Sequence, residues 1–136
     1  MPLKSFERII LFTHAFGRSY PIVEVTFIKP NGQRRVLPLL FDTGASSIII
    51  RPKYHYLFPR STATEEVGTV GRSKGVNAKA TTGKVEFLGK TIDCNVLLMP
   101  IKMPPLWAGL LGREVMELFG FGYWQSSGEL FVTVTP

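Results

Sequence analysis

Apolar residues in this chain fall mostly at alternate positions, in short runs separated by turn residues. From Tyr20 to Ile28, Val23, Val25 and Phe27 share one face while Glu24 and Thr26 take the other. That period of two marks a strand with one side in water. Lys29-Pro30-Asn31-Gly32 predicts a turn, because proline fixes φ and Asn-Gly tolerates positive φ. Arg34 to Phe41 is expected to pair back across it, and Ser47 to Ile50 reads as a short buried strand. Phe6 to Thr13 predicts an earlier strand. Lys84 to Leu88 and Thr91 to Met99 predict a hairpin about Gly89-Lys90, and Glu129 to Thr135 a closing strand after Ser127-Gly128. Only Arg113 to Phe119 reads as a helix, with Val115, Met116 and Phe119 on one face and Gly120 placed for a left-handed cap. Pro59 to Gly83 has a different texture. It is polar, basic and spaced by Gly68, Gly71, Gly75 and Gly83, so it is expected outside the core, as a mobile hairpin or long loop. Pro100 to Pro105 reads as an extended connector. The pattern as a whole predicts a mostly β chain with one short C-terminal helix.

Length and composition narrow this further. At 136 residues the chain suits a single domain, residues 1–136, with no linker or internal repeat. With 45% hydrophobic and 19% charged residues it is neither disordered nor fibrous. Cys94, His14 and His55 are too few soft ligands for a structural zinc, and no metal or cofactor is expected. No apolar run reaches the roughly 18 residues that cross a bilayer, and Ile9 to Phe12 is too short for a signal-peptide core. A single cysteine suits a reducing compartment, so a cytoplasmic location without membrane contact is expected. The net charge of +6 raises a second class of function, a module that binds nucleic acid or an acidic partner. Arg34-Arg35, Arg51, Lys53 and the cations between Arg72 and Lys90 look scattered, however, and aromatic residues do not interleave with them. A solvated surface is the expectation, and nucleic acid is not an expected partner.

The informative stretch runs from Leu39 to Ile50. In Leu39-Leu40-Phe41-Asp42-Thr43-Gly44-Ala45, a carboxylate follows one strongly apolar run and precedes another. An ionised acid there loses hydration worth several kcal/mol unless its oxygens receive hydrogen bonds. Gly44 permits a turn whose N–H groups point back at Asp42, and the Thr43 hydroxyl can lock the loop. A plain Asx-turn at a strand end is the bland alternative. A second element adds weight: Ala108-Gly109-Leu110-Leu111-Gly112-Arg113 brackets two leucines with glycines, which lets a strand pass close beneath another backbone. No Gly-x-Ser-x-Gly elbow surrounds Ser46 or Ser47, and Gly71 to Gly75 lacks the Walker spacing.

Together these motifs resemble the retropepsin-like aspartic proteases, and most of all the small bacterial members of that group. The resemblance runs in element order from about Val23 to Val134. It implies a closed β-barrel of the acid-protease half-fold type, with Asp42 catalytic and Thr43 and Gly44 supporting its loop. It implies a flap over about residues 62–84, with Ala45 and the tip residues Thr69, Val70 and Gly71 against substrate. It makes Gly112 and Arg113 a structural motif. One departure stands out. Retroviral members usually carry an acid two residues after the glycine, paired with that arginine, and here the position is Ser46. Glu7, Glu114 and the C-terminus are the candidate replacements for Arg113.

Hydrolysis by this chemistry needs two carboxylates around one water, one ionised to take its proton and one protonated to polarise the carbonyl. At about 4 Å two ionised carboxylates repel by about 4 kcal/mol at an effective dielectric of ~20, so the pair holds one proton between them. The chain has only two aspartates, and Asp93, in Thr91-Ile92-Asp93-Cys94, lacks a glycine turn and reads as an outward strand residue. The expected active unit is therefore a homodimer that brings two copies of Asp42 together and hydrolyses peptide or protein substrates. The alternative is a non-catalytic dimer of the same fold that binds peptide, nucleic acid or an acidic partner. Cys94 is expected in the core, Trp107 and Trp124 in packing or at an interface, and both histidines in solvated roles.

Overall fold

The computed structural model describes residues 8–11, 13–15, 18–60, 63–67, 76–101, 107–124 and 128–134. Strand β1 (Arg8–Leu11) is followed by a small hairpin of β2 (Thr13–Ala15) and β3 (Arg18–Tyr20). The expected strand from Tyr20 to Ile28 is thus divided. Pro21 has no N–H to continue a ladder, and β4 begins only at Ile22 (Ile22–Ile28). β4 pairs across the Lys29–Gly32 turn with β5 (Arg34–Phe41), where Gly32 adopts φ +86 and the Gly32 N–H donates to the Lys29 carbonyl at 2.8 Å. After β6 (Ile48–Ile50) comes a 3₁₀ helix, Pro52–Leu57.

Next are β7 (Ala63–Val67), β8 (Val76–Phe87) and β9 (Lys90–Leu98), which form two successive hairpins. The chain ends with β10 (Gly109–Leu111), helix α1 (Arg113–Met116), β11 (Phe119–Trp124) and β12 (Glu129–Val134). Six strands close a barrel in the order β4-β5-β10-β6-β9-β8, with β8 returning to β4. β7 extends beyond β8, and β1, β12 and β11 make a separate antiparallel sheet.

The inner face of the barrel takes the alternating residues that the sequence pattern singled out. Val23, Val25 and Phe27 of β4, Leu37, Leu39 and Phe41 of β5, and Ile48 and Ile50 of β6 are buried together. Two expectations change. The segment from Pro59 to Gly83 is not all peripheral, because β8 is a barrel wall with Ala78 buried, packed against Leu97 and Met99. Alanine and glycine register as weakly apolar in sequence, yet they are what fits there. A Cβ on Gly83 would press on Val96 and Phe58 at 3.0 and 3.1 Å. The helix is also shorter than expected, ending at Met116. Phe119 instead opens β11 and packs edge-on against Phe87, and Gly120 pairs with Thr133 rather than capping a helix. Burial of Val115, Met116 and Phe119 needed an apolar face but not two full helical turns.

Cys94 lies in the barrel wall, 5% exposed, with its thiol donating to the Gly83 carbonyl at 3.6 Å. Burial, then the charges of Glu114 and Asp93, push its pKa from 9.0 up to about 12. The thiolate is the nucleophile, so the folded chain at pH 9 carries roughly 10³-fold less of it than the unfolded chain. Alkylation by iodoacetamide at that pH, followed by mass spectrometry, is expected to be slower by at least roughly 10²-fold in the native protein than in urea. Equal rates would place Cys94 outside the wall.

Candidate active site

β10 lies between β5 and β6, parallel to β5 and antiparallel to β6. The loop that joins β5 to β6, residues 42–47, must therefore cross the end of β10. A glycine stands at each end of β10. At the end under the loop, a Cβ at Gly112 would strike the Ser47 backbone, and at the other end one at Gly109 would strike the Ile49 carbonyl oxygen of β6. The two glycines flanking Leu110 and Leu111 serve the close approach that their spacing suggested.

The loop is fastened to what it crosses. Asp42 N–H donates to the Leu111 carbonyl at 3.0 Å, Arg113 N–H to that of Ala45 at 2.9 Å, and Glu114 N–H to that of Ser46 at 3.0 Å. Within the loop, Gly44 N–H donates to Asp42 Oδ1 at 2.8 Å, and Ala45 N–H to the Asp42 carbonyl at 3.3 Å. The expected cradle thus exists, with Gly44 as the one donor to the carboxylate among the described residues. Asp42 is half-buried, while Thr43, Gly44 and Ser46 are exposed around it. Ala45 turns its methyl inward and is 7% exposed.

Arg113 is exposed, and among the described residues no carboxylate pairs with it. Of its three candidate partners, Glu7 and the C-terminus lie outside the described residues. Glu114 is engaged elsewhere: its two oxygens accept from Asn95 N–H at 2.8 Å and Asn95 Nδ2 at 3.1 Å. That bond ties α1, and through it the 42–47 loop, to β9. Nothing in the sequence spacing of Asn95 and Glu114 announced it. Arg51, expected from the sequence on a solvated surface, braces the approach to β10. Its Nε donates to the Trp107 carbonyl at 3.0 Å and a terminal nitrogen to that of Ile101 at 3.1 Å.

Asp93 is exposed and sits opposite Lys84 in the β8–β9 ladder, as its context implied. Trp107 is buried against Tyr20, and the side chain of Trp124 lies outside the described residues. Thr69, Val70 and Gly71 also lie outside them, although β7 and β8 are the two arms of a hairpin that leads to that stretch. Among the described residues no cluster of three or more His, Cys, Asp or Glu side chains could hold a metal.

This chain is similar in fold to a retropepsin-like aspartic protease from Rickettsia conorii, with a TM-score of 0.62 at 20% identity, over 98% of this chain and 97% of that one. This chain has the retropepsin-like fold. EIAV protease, solved with the inhibitor HBY-793, matches at a TM-score of 0.49 and 21% identity, over 77% of this chain and 91% of that one. No family model matches the sequence, and neither does any curated protein. Within the retropepsin-like fold, the crossing of β10 beneath the 42–47 loop sets where the acid stands. Asp42 leaves the end of β5 at the barrel rim, and the apolar walls of β5 and β6 stop at the loop.

Proposed function

We propose that this chain is an aspartic endopeptidase whose active unit is a homodimer, with Asp42 of one protomer facing Asp42 of its partner across a two-fold axis. The observation that carries this reading is the Asp42 loop. Its carboxylate is oriented by the Gly44 N–H at 2.8 Å, held at the rim by three backbone bonds to residues 111–114, and surrounded by exposed Thr43 and Gly44. Such an acid is rigid but solitary. Among the described residues no second carboxylate stands beside it, since Asp93 lies on β9 and Glu114 is bound to Asn95.

Symmetry supplies the missing acid with the same orientation. The two carboxylates then share one proton, and the ionised member takes a proton from water while the neutral member donates to the scissile carbonyl. Thr43, exposed beside Asp42, supports the loop through its hydroxyl. The β7–β8 hairpin serves as a flap that closes over substrate and excludes water, with Thr69, Val70 and Gly71 at its tip and the Ala45 backbone beside the peptide. Gly112 and Arg113 hold the loop from below through backbone contacts.

Sedimentation velocity run beside a peptide-cleavage assay tests the assembly. The specific rate is expected to climb with protein concentration in step with the dimer fraction. Full activity in a strictly monomeric sample would overturn the reading. Ser46, where an acid that pairs with Arg113 would stand, favours a second reading in which the same dimer binds peptide without cleaving it. A stable dimer that retains peptide and never turns it over is the result that distinguishes it.

A further inference from the structure

At the end of the barrel remote from Asp42, the fold gathers cations that look scattered in the sequence. The 3₁₀ helix Pro52–Leu57 sets Tyr54 and Tyr56 against the β4–β5 hairpin. Arg35 lies 5.9 Å from the centre of the Tyr54 ring and donates to the Tyr56 hydroxyl at 2.8 Å. Lys53 lies 5.1 Å from the Tyr54 ring centre, and Lys29 5.9 Å from that of Tyr56. Aromatic and basic side chains therefore do interleave, contrary to the linear reading, because a turn and a 3₁₀ helix far apart in sequence meet here.

These cations are held by ring faces and neutral oxygens rather than by carboxylates. Lys29 also reaches Gln33 Oε1 at 3.1 Å, whereas the ion pair among the described residues joins the neighbouring Arg34 to Glu86. A ring fixes a cation without cancelling its charge. Three positive groups thus stand fixed and unneutralised, Arg35 and Lys53 exposed and Lys29 half-buried, beside a Tyr56 that is 45% exposed. A groove of about 670 Å³ opens beside them, lined by Ile28, Lys29, Pro30, Leu57, Pro59 and Lys84, and continuing to Asp93 and Glu114.

We propose that this surface is a docking site for an acidic peptide segment of the substrate, distinct from the Asp42 cleft. This rests on the endopeptidase reading for its purpose, though not for its chemistry. The ring faces are covered by the protein's own cations, which leaves them poor platforms for stacking bases. The carboxylates of Asp93 and Glu114 farther along the groove would repel a phosphodiester backbone, but they leave a peptide of mixed composition unopposed. Charge complementarity selects glutamate- or aspartate-rich sequence at the Lys29, Arg35 and Lys53 end, and the apolar groove wall accepts the residues that follow. β5 runs from this patch to Asp42, so the two sites are separated by roughly 25 Å, or about eight extended residues.

The test uses the full chain carrying Asp42→Asn, so that binding is read without cleavage. A fluorescent peptide with a run of glutamates followed by neutral, partly apolar residues is titrated by anisotropy, with an oligothymidylate of similar charge in a parallel arm. The peptide is expected to bind, to weaken with salt, and to lose roughly tenfold in affinity when Lys29→Gln, Arg35→Gln and Lys53→Gln are combined. If that triple variant melts early, Lys29→Gln with Lys53→Gln, which leaves the Arg35–Tyr56 bond intact, is expected to lose roughly threefold. No peptide binding, or binding indifferent to these residues, overturns the proposal. Tighter binding of the oligothymidylate through the same three residues overturns it in favour of nucleic acid. In the otherwise unaltered enzyme, the triple variant is expected to raise KM for a substrate with an acidic tail and leave a neutral short peptide unaffected. Loss of cleavage with binding intact would count against the endopeptidase reading alone.

Discussion

Asp42→Asn is expected to bring peptide hydrolysis down by roughly 10⁴-fold or more while the dimer and the melting temperature stay nearly unchanged. Asparagine keeps the shape of the side chain and an oxygen that can still accept the Gly44 N–H, now at 2.8 Å, so the loop has no reason to move. What it lacks is a proton that can come and go. In the proposed homodimer both protomers carry the substitution, so it removes the acid and the base together. A covalently linked dimer that carries Asp42→Asn in only one of its two copies should be as inactive as the double change, since neither role works without the other. Steady-state cleavage of a fluorogenic peptide reads the rate, and thermal melting with sedimentation reads the fold. Residual turnover within about tenfold of the wild type would mean that another group performs the chemistry.

Gly109→Ala is expected to be, with Gly112→Ala, among the most damaging glycine substitutions at the described residues. The added Cβ would meet the Ile49 carbonyl oxygen and lie 3.0 Å from Ile50 Cα, all of it backbone with no rotamer to give way. Relief would require β10 to separate from β6, although Gly109 pairs directly with Ile50. Overpacking of flexible side chains costs about 1–3 kcal/mol, and a clash with fixed backbone exceeds that range. We expect a loss of about 4 kcal/mol or more, enough to unfold many domains whose total stability is about 5–15 kcal/mol. Gly89→Ala is the contrast, because Gly89 has φ +78 but open space around it, and only about 1–2 kcal/mol of left-handed strain is at stake. Urea unfolding of the two variants separates these costs. Equal midpoints would show that β10 does not thread as tightly as its neighbours require.

Asp42 follows the end of β5 and Gly109 opens the neighbouring β10, and they show how local and non-local information divide in this protein. Alternation in Val23, Val25 and Phe27 marked β4 correctly, and Arg34 to Phe41 marked β5 to the residue, because each strand has one buried face and one wet face. The Asp-Thr-Gly turn and the Gly-Leu-Leu-Gly run were readable for a related reason: tight turns and close backbone passages admit few residue types. Ala78 and Gly83 misled, since small residues in a wall carry little apolar signal until the large residues opposite them are known. The helix read too long because Phe119 satisfies a helical face and a strand start equally well.

From the chain alone came most strands of the barrel, though not the first part of β8, together with the acid and its glycine turn, and the arithmetic that one such acid per chain calls for a partner. Those features depend on neighbours within a few residues, where dihedral preference and periodicity act. Tertiary structure decided the rest. It inserted β10 between β5 and β6, gave Glu114 to Asn95 rather than to Arg113, turned Arg51 into a brace, and collected Lys29, Arg35 and Lys53 around two tyrosines. Each of these contacts joins segments that no periodic pattern connects, because the energy that selects them arises only when the barrel closes and brings those segments within hydrogen-bonding reach.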